Sequence, residues 1–520
     1  MHRITWLSKL SILLSVALAI SWQAPTLGQD PFGIQFIDQQ SKRPIPLVEI
    51  ETVDHLRMVS DNHGWIAIDD PELLDTQVFF HIRSHGYEYP KDGFGFTGKT
   101  ITCTHGQRLT IELQRVQLAE RLYRTTGLGL EAHSKRLKIA ALSHSEYSHN
   151  RFPFETPVGC DSVLTAVMGG KMFWFWGDTQ ALHYPIGGSF HMTGATTDPN
   201  LGNIETRPPI FEHFRDEQKR VRPLAQMPGD GPTWLSGLTV FKDSQGSEIM
   251  LANYVKVRNS LEAYRWGFVR WNPKTESFDQ VSEFSDPPKL FPPSQVHTLL
   301  QKDPTGDSDY VYLCTPFPNR RVLATQEAFV DPQQYEGYTC LQDGTSFEDR
   351  KLDRNDQGEI VYRWRRNTLP LTQTQEKTLV AEKLMSQSER LYRVLDSDNS
   401  HEIQTHNGSV AWNPHRNAWS MVFTQSGGSR SRLGEIWYSE SKRLEGPWKK
   451  AKKIATHHQY SFYNPKIHPE FSGQNGKVLY FEGTYTTTFS GNSHPTPRYD
   501  YNQILYRLDL DLLSGLNFEQ

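Results

Sequence analysis

The chain has 520 residues, a formal net charge of −4, 22% charged residues and 12% aromatic residues. Its balanced charge excludes a general nucleic-acid binder, and 13 Trp, 21 Tyr and 27 Phe beside 37 Gly and 31 Pro exclude a coiled coil, a collagen or a disordered chain. The length suits two to four domains, or one large repeat fold with an added module, and the aromatic, Gly/Pro-rich composition points to β structure.

Residues 1–28 read as a secretory signal peptide. Arg3 and Lys9 give the positive start, Leu10 to Ile20 the short apolar core, and Thr26-Leu27-Gly28 the small residues of a cleavage site. That run is shorter than the roughly 18–20 residues of a membrane span, and no later segment reaches that length. An uncleaved anchor is the alternative. The expectation is an exported protein, periplasmic or extracellular, without a transmembrane segment. Cys314 and Cys340 lie close enough in sequence to bridge in an oxidising compartment, with four buried free thiols as the other reading.

Residues 30–115 are a run of short strands separated by turns such as Asp61-Asn62-His63-Gly64 and Lys91-Asp92-Gly93. Leu109-Thr110-Ile111-Glu112-Leu113 alternates cleanly. This spacing suggests an Ig-like or transthyretin-like β-sandwich. Residues 116–150 read as a connector with one helical turn, and the spread of His133, His144 and His149 suits a solvated linker better than a metal site. From 151 to 515, strand–turn–strand units recur five times, beginning near Ser162, Gly237, His297, Gly408 and Asn464. The turns Trp271-Asn272-Pro273-Lys274 and Trp412-Asn413-Pro414-His415 nearly repeat. Five such units predict an all-β chain: a five-bladed β-propeller preceded by a small β-sandwich domain. One or two β-sandwiches are the alternative for the long region. Helical formers spaced by three or four predict a short helix near 373–387, inserted between the third and fourth units.

Two stretches carry resemblances. Pro44-Ile45-Pro46-Leu47-Val48-Glu49-Ile50, followed by Val59-Ser60-Asp61-Asn62-His63-Gly64-Trp65-Ile66-Ala67-Ile68, resembles carboxypeptidase-regulatory-like modules, which are accessory domains. The long region resembles the five-bladed β-propeller glycoside hydrolase superfamily. The resemblance rests on Val158-Gly159-Cys160-Asp161-Ser162-Val163, on Trp176-Gly177-Asp178-Thr179, and on Glu435 to Glu440 with its Gly446-Pro447-Trp448 turn. It implies an axial pocket with Asp161 at the start of the first innermost strand. Arabinosidases, xylosidases, fructan hydrolases and phosphorylases share that fold, so the fold leaves the reaction open.

Glycosidases generally use two carboxyl groups, one protonated and one ionised. Asp161 is the first candidate, as base or nucleophile, with a turn cap as its plain reading. Asp178 and Glu482 each follow an aromatic strand run, and Glu262 lies in a loop-like stretch as a candidate acid or a surface residue. Only the first aspartate of the superfamily's Asp/Asp/Glu set is legible. Candidate substrate-binding residues are His191, Trp234, Arg258, His406, Asn407, Asn464, Lys466 and Tyr485, since sugars stack on aromatic faces and bond to Asn, Lys and Arg. No cofactor is expected. The resemblance admits an axial Ca²⁺ near His406, but an Asp-x-Asp-x-Asp loop is lacking. The two functional readings are a carbohydrate-cleaving enzyme and a non-catalytic glycan- or protein-binding propeller at the cell surface.

Overall fold

The computed structural model describes residues 30–139, 157–182, 192–206, 208–243, 245–258, 261–302, 308–472 and 474–518. The leader at 1–28 and His191 lie outside the described residues.

Period-two alternation builds the N-terminal unit. In Arg108–Arg115, Ile111 and Leu113 are buried while Arg108, Thr110, Glu112 and Gln114 stay exposed. Eight strands form two four-stranded sheets. One runs Trp65–Ile68, Phe32–Asp38, Arg108–Arg115, Tyr87–Glu88, and the other Arg57–Val59, Glu49–Thr52, Gln77–Arg83, Gly98–Thr102. Ile34, Phe36 and Ile66 from the first sheet meet Ile50, Phe80 and Ile82 from the second in one core.

Five further sheets follow, each of four or five strands. Their first strands are Val163–Met168, Thr233–Lys242, His297–Lys302, Thr405–Asn413 and Ser461–Ile467. Each lies against the next, and the fifth touches the first, so the five close a ring around a common axis. Large aromatics fill the space between neighbouring sheets: Phe175 packs on Trp271 and Phe278, and Phe241 on Phe329.

The ring is fastened by a strand from outside the repeat. Glu120–Arg124 pairs antiparallel with Asn502–Asp509 and completes the fifth sheet. This segment falls in the expected connector, where three charged residues out of five hide a strand whose every side chain is buried. Each charge has a partner distant in sequence. Arg121 donates to Pro46 O and His85 O, both at 3.0 Å, and to Ser84 Oγ at 2.6 Å. Glu120 accepts from Arg507 at 3.2 Å, and Arg124 lies over the Tyr499 ring at 4.7 Å. Asn62 reads Arg124 as a strand neighbour would, accepting from its N–H at 3.0 Å and donating to its carbonyl at 2.9 Å. The closing strand therefore also clamps the N-terminal unit to the ring.

Other local expectations meet mixed outcomes. Helix Gln373–Ala381 occupies the insertion, started by Thr372 and Gln375 as a capping box. A second, five-residue helix, Ala132–Arg136, follows the closing strand. All four cysteines are buried and free, so Cys314 and Cys340 form no bridge. The two Asn-Pro turns occupy different places: the first joins the third and fourth strands of the second sheet, the other the first and second strands of the fourth. Their likeness is turn chemistry and not sheet register.

Candidate functional site

The ring's first hairpin splits at its end. Val163 pairs with Trp176, but the chain before and after diverges into a short second pairing of Gly159–Cys160 with Thr179–Gln180. Asp161 and Asp178 stand opposite each other in that split, and the Asp161 N–H donates to the Asp178 carbonyl at 3.3 Å. Gly177 makes the arrangement fit: a Cβ there would sit 1.9 Å from Asp161 Oδ1.

Both carboxyls face a cleft of about 600 Å³ at one end of the ring axis, bordered by residues from all five sheets and their loops. Burial pushes Asp161 up to about 6, against the hydrogen bonds of Tyr501 and Tyr463, whose hydroxyl donates to Oδ2 at 3.0 Å. Burial and the neighbouring Asp161 charge push Asp178 up to about 7, and the Trp234 indole N–H, donating to Oδ1 at 3.0 Å, opposes the rise. Two desolvated carboxyls side by side hold one proton between them near neutrality.

The cleft floor is a chain of amide and hydroxyl bonds around the axis. Asn464 donates to Ser162 Oγ at 2.5 Å, Asn407 donates to Asn464 Oδ1 at 3.0 Å, and Asn407 also donates to Gln295 Oε1. The Gly237 N–H donates to Val296 O at 3.0 Å and brings in the second sheet. Bulges in three first strands make this possible: register shifts at Ser236/Thr239, Thr405/Gly408 and Tyr463/Lys466 turn side chains toward the axis. Six non-glycine residues bordering the cleft hold left-handed backbone: Ser162 (φ 42°), Leu261 (62°), Gln295 (61°), Asn464 (52°), Phe489 (63°) and Tyr501 (59°). Such conformations cost of order 1–3 kcal/mol each and gather where function requires them.

Across the cleft from the aspartates, the fourth sheet and its loop supply His406 and Arg432. Burial, with the Arg432 charge, lowers the His406 pKa, so this imidazole is neutral at pH 7, and its buried Nδ1 has no hydrogen-bond partner. At the cleft base, burial and the Lys466 charge depress His297 to about 3. Among the described residues, no three of His, Cys, Asp and Glu gather to hold a metal ion. The cation beside His406 is an arginine, which opposes Ca²⁺, so the residues present do not fit an axial calcium.

Of the candidates from sequence, the structure brings Asp161, Asp178, Trp234 and His406 to the cleft wall, with Asn464 and Asn407 in its floor. The other described candidates lie elsewhere, and His191 is outside the described residues. Glu262 is exposed, and its backbone carbonyl accepts from Arg258 N–H at 2.9 Å. Arg258 is exposed with its guanidinium over the Tyr264 ring at 4.7 Å. Glu482 is fully buried within the fifth sheet, in Val478–Thr486. Its Oε2 accepts from Thr125 at 3.3 Å, His468 Nε2 lies 3.5 Å from Oε1, and burial pushes it up to about 7. Lys466 borders a second opening of about 330 Å³, farther along the same first strands. Tyr485 sits where the N-terminal unit meets the fifth sheet, stacked on Tyr460 at 4.2 Å with its hydroxyl 2.9 Å from His85 Nε2. Tyr463, Tyr501, Gln295 and Arg432 were missed. Tyr463 had a signal, standing beside Asn464 at a strand start; Arg432, in a loop of Ser, Gly and Arg, had none.

No family model matches the chain, and no curated protein matches it. Among solved structures it is similar to an exo-β-1,3-galactanase from Phanerochaete chrysosporium, with 8% identity over 69% of this chain and 62% of that one, at a TM-score of 0.35. A putative exo-β-1,3-galactanase from Bifidobacterium bifidum s17 gives 10% identity over 67% and 87%, at 0.34. An exo-1,5-α-L-arabinanase from a bovine ruminal metagenomic library gives 10% over 68% and 93%, at 0.33. Likenesses so distant decide neither fold nor reaction.

Proposed function

We propose that the ring is a five-bladed β-propeller carrying an N-terminal β-sandwich, and that the protein is an exported glycoside hydrolase acting on a poly- or oligosaccharide. One observation carries this: Asp161 and Asp178 are a desolvated, mutually repelling pair at the wall of the axial cleft. A glycosidase needs one carboxyl protonated and one ionised at the same pH. Asp178, held higher by Asp161, keeps the proton; Asp161, bonded by two phenols, is the charged partner. Asp178 gives its proton to the departing glycosidic oxygen as the C–O bond breaks. Asp161 stays ionised and stabilises the positive charge that develops at the anomeric carbon. Water then enters where the leaving group departed, its oxygen bonds the anomeric carbon, and its proton passes to Asp178, which resets the pair. Trp234, bonded to Asp178, offers a face on which the sugar stacks.

The test is reducing-sugar release by the full chain on a polysaccharide and aryl-glycoside panel, beside Asp161→Asn and Asp178→Asn. Release that falls at least about 100-fold in either variant supports the assignment. Release unchanged in both refutes the site, and no release from folded protein refutes hydrolysis. A second reading has its own observation: among the described residues, no third carboxylate faces the aspartates across the cleft. A propeller that binds a glycan without cutting it fits that geometry. Export is tested separately, by N-terminal sequencing of the secreted protein for cleavage near residue 28.

A further inference from the structure

The cleft is electrically lopsided. Its first-sheet wall holds Asp161 and Asp178, and its opposite wall holds Arg432 with His406. Several other arginines of the ring meet a carboxylate. Arg416 meets Glu440 at 2.6 Å, Arg321 meets Glu336 at 2.8 Å, Arg390 meets Glu402 at 2.6 Å, and Arg507 meets Glu205 at 3.0 Å. Among the described residues, no carboxylate pairs with Arg432 and no hydrogen bond engages its guanidinium. It does not neutralise the aspartates either: the interactions that set Asp161 and Asp178 come from burial, Tyr501, Tyr463, Trp234 and each other. A free planar donor fork thus stands beside a buried imidazole nitrogen that also lacks a partner.

We propose that this wall anchors an anionic substituent, and that the ligand of the cleft is an acidic saccharide bearing a carboxylate or a sulfate ester. The proposal rests on the carbohydrate reading above and names its substrate class. An arginine fork matches the paired oxygens of either group bidentately. His406 offers one ring N–H as a further donor to the same group. The aspartates repel the same substituent, so the sugar enters in one orientation, anion toward Arg432 and the bond to be cut toward Asp161 and Asp178. A neutral sugar gains no such alignment. Arg432 is exposed at the rim and, among the described residues, its side chain bonds no other part of the fold, so replacing it tests recognition and not folding.

The experiment is glycan-array binding with the full chain carrying Asp161→Asn, which blocks turnover. The array pairs uronate-bearing, sulfated and neutral oligosaccharides of matched length. Acidic probes binding about 10–100-fold tighter than neutral ones, with the preference lost in Arg432→Gln and reduced by salt, is the expected result. Whether uronates or sulfates lead identifies the anion. His406→Ala weakens the same probes while leaving neutral ones unchanged. Equal binding of neutral and acidic probes, or a preference that survives Arg432→Gln at unchanged melting temperature, overturns the proposal and leaves glycan recognition standing. Acidic binding without hydrolysis by the unsubstituted chain supports the anchor and removes the enzyme. No binding to any glycan overturns both.

Discussion

Replacing Asp178 by Asn should stabilise the protein at alkaline pH and not at acid pH. The folded-state pKa of Asp178 is raised from 3.8 to about 7. A raised carboxyl binds its proton more tightly folded than unfolded, so its contribution is fully present below about pH 4 and is lost as pH rises through 7. A rise of roughly 3 units at 1.36 kcal/mol each gives about 4 kcal/mol above pH 7, and relaxation around a partly exposed group reduces this to about 2 kcal/mol. Asparagine is neutral at every pH and its Oδ1 still accepts the Trp234 indole N–H. For a ring of this size, about 2 kcal/mol corresponds to a melting rise of roughly 2–4 °C. Differential scanning calorimetry of both proteins from pH 4 to pH 8 provides the assay. The two transitions should lie closest near pH 4, begin to separate by pH 5 and stand furthest apart by pH 8, with the variant higher. Asp161→Asn relieves the same repulsion, so the double variant should gain less than the sum of the singles. A shift that is constant across pH, or a less stable variant at pH 8, would refute the desolvated-pair argument.

Three other substitutions test separate parts of the architecture. Trp234→Phe removes the one donor that favours ionised Asp178, so the alkaline limb of the kcat/KM profile should move to higher pH; an unmoved limb would take Asp178 out of the titration. Gly177→Ala places a methyl within 1.9 Å of Asp161 Oδ1, so activity should fall at least about tenfold with a small change in melting temperature, and full activity would show that the carboxyl is free to move. Arg121→Ala strands Pro46 O, His85 O and Ser84 Oγ at a buried seam, costing about 3 kcal/mol. Limited proteolysis should then release the N-terminal unit, and an undiminished protease-resistant full-length band would mean that the seam holds without it.

The strand pattern of the ring was readable because its first and second strands carry dense β-branched and aromatic runs between Gly and Asn-Pro turns. Asp161 and Asp178 carry a related signal: each stands beside the end of an apolar strand run, and the structure places both at the cleft. Glu482 shows the limit of that signal. It follows Leu479-Tyr480-Phe481 just as Asp178 follows an aromatic run, but Val478–Thr486 continues four residues past it and every residue is buried. Strand ends are poorly marked in sequence, so a mid-strand acid and a strand-end acid look alike. Glu262 failed differently: the left-handed turn at Leu261 leaves it in solvent. The closing strand was illegible because burial of Glu120, Arg121 and Arg124 depends on partners up to 387 residues away. The floor bonds of Asn407 and Asn464 depend on bulges, which add a residue without altering composition.

The ring-closing strand has a consequence for the order of assembly. Glu120–Arg124 leaves the ribosome before any of the five repeated sheets, yet its partner Asn502–Asp509 comes almost last. Nearly 400 residues separate them, about 20–80 s of synthesis at ordinary rates. Through that interval the segment lacks the strand it pairs with, and an edge without its partner is the kind of surface that invites pairing with another chain. Its charges are what native edges use to discourage such contacts, and in the folded protein the same charges become the buried clamp. A nascent chain thus carries its own gatekeepers in the residues that later lock the ring.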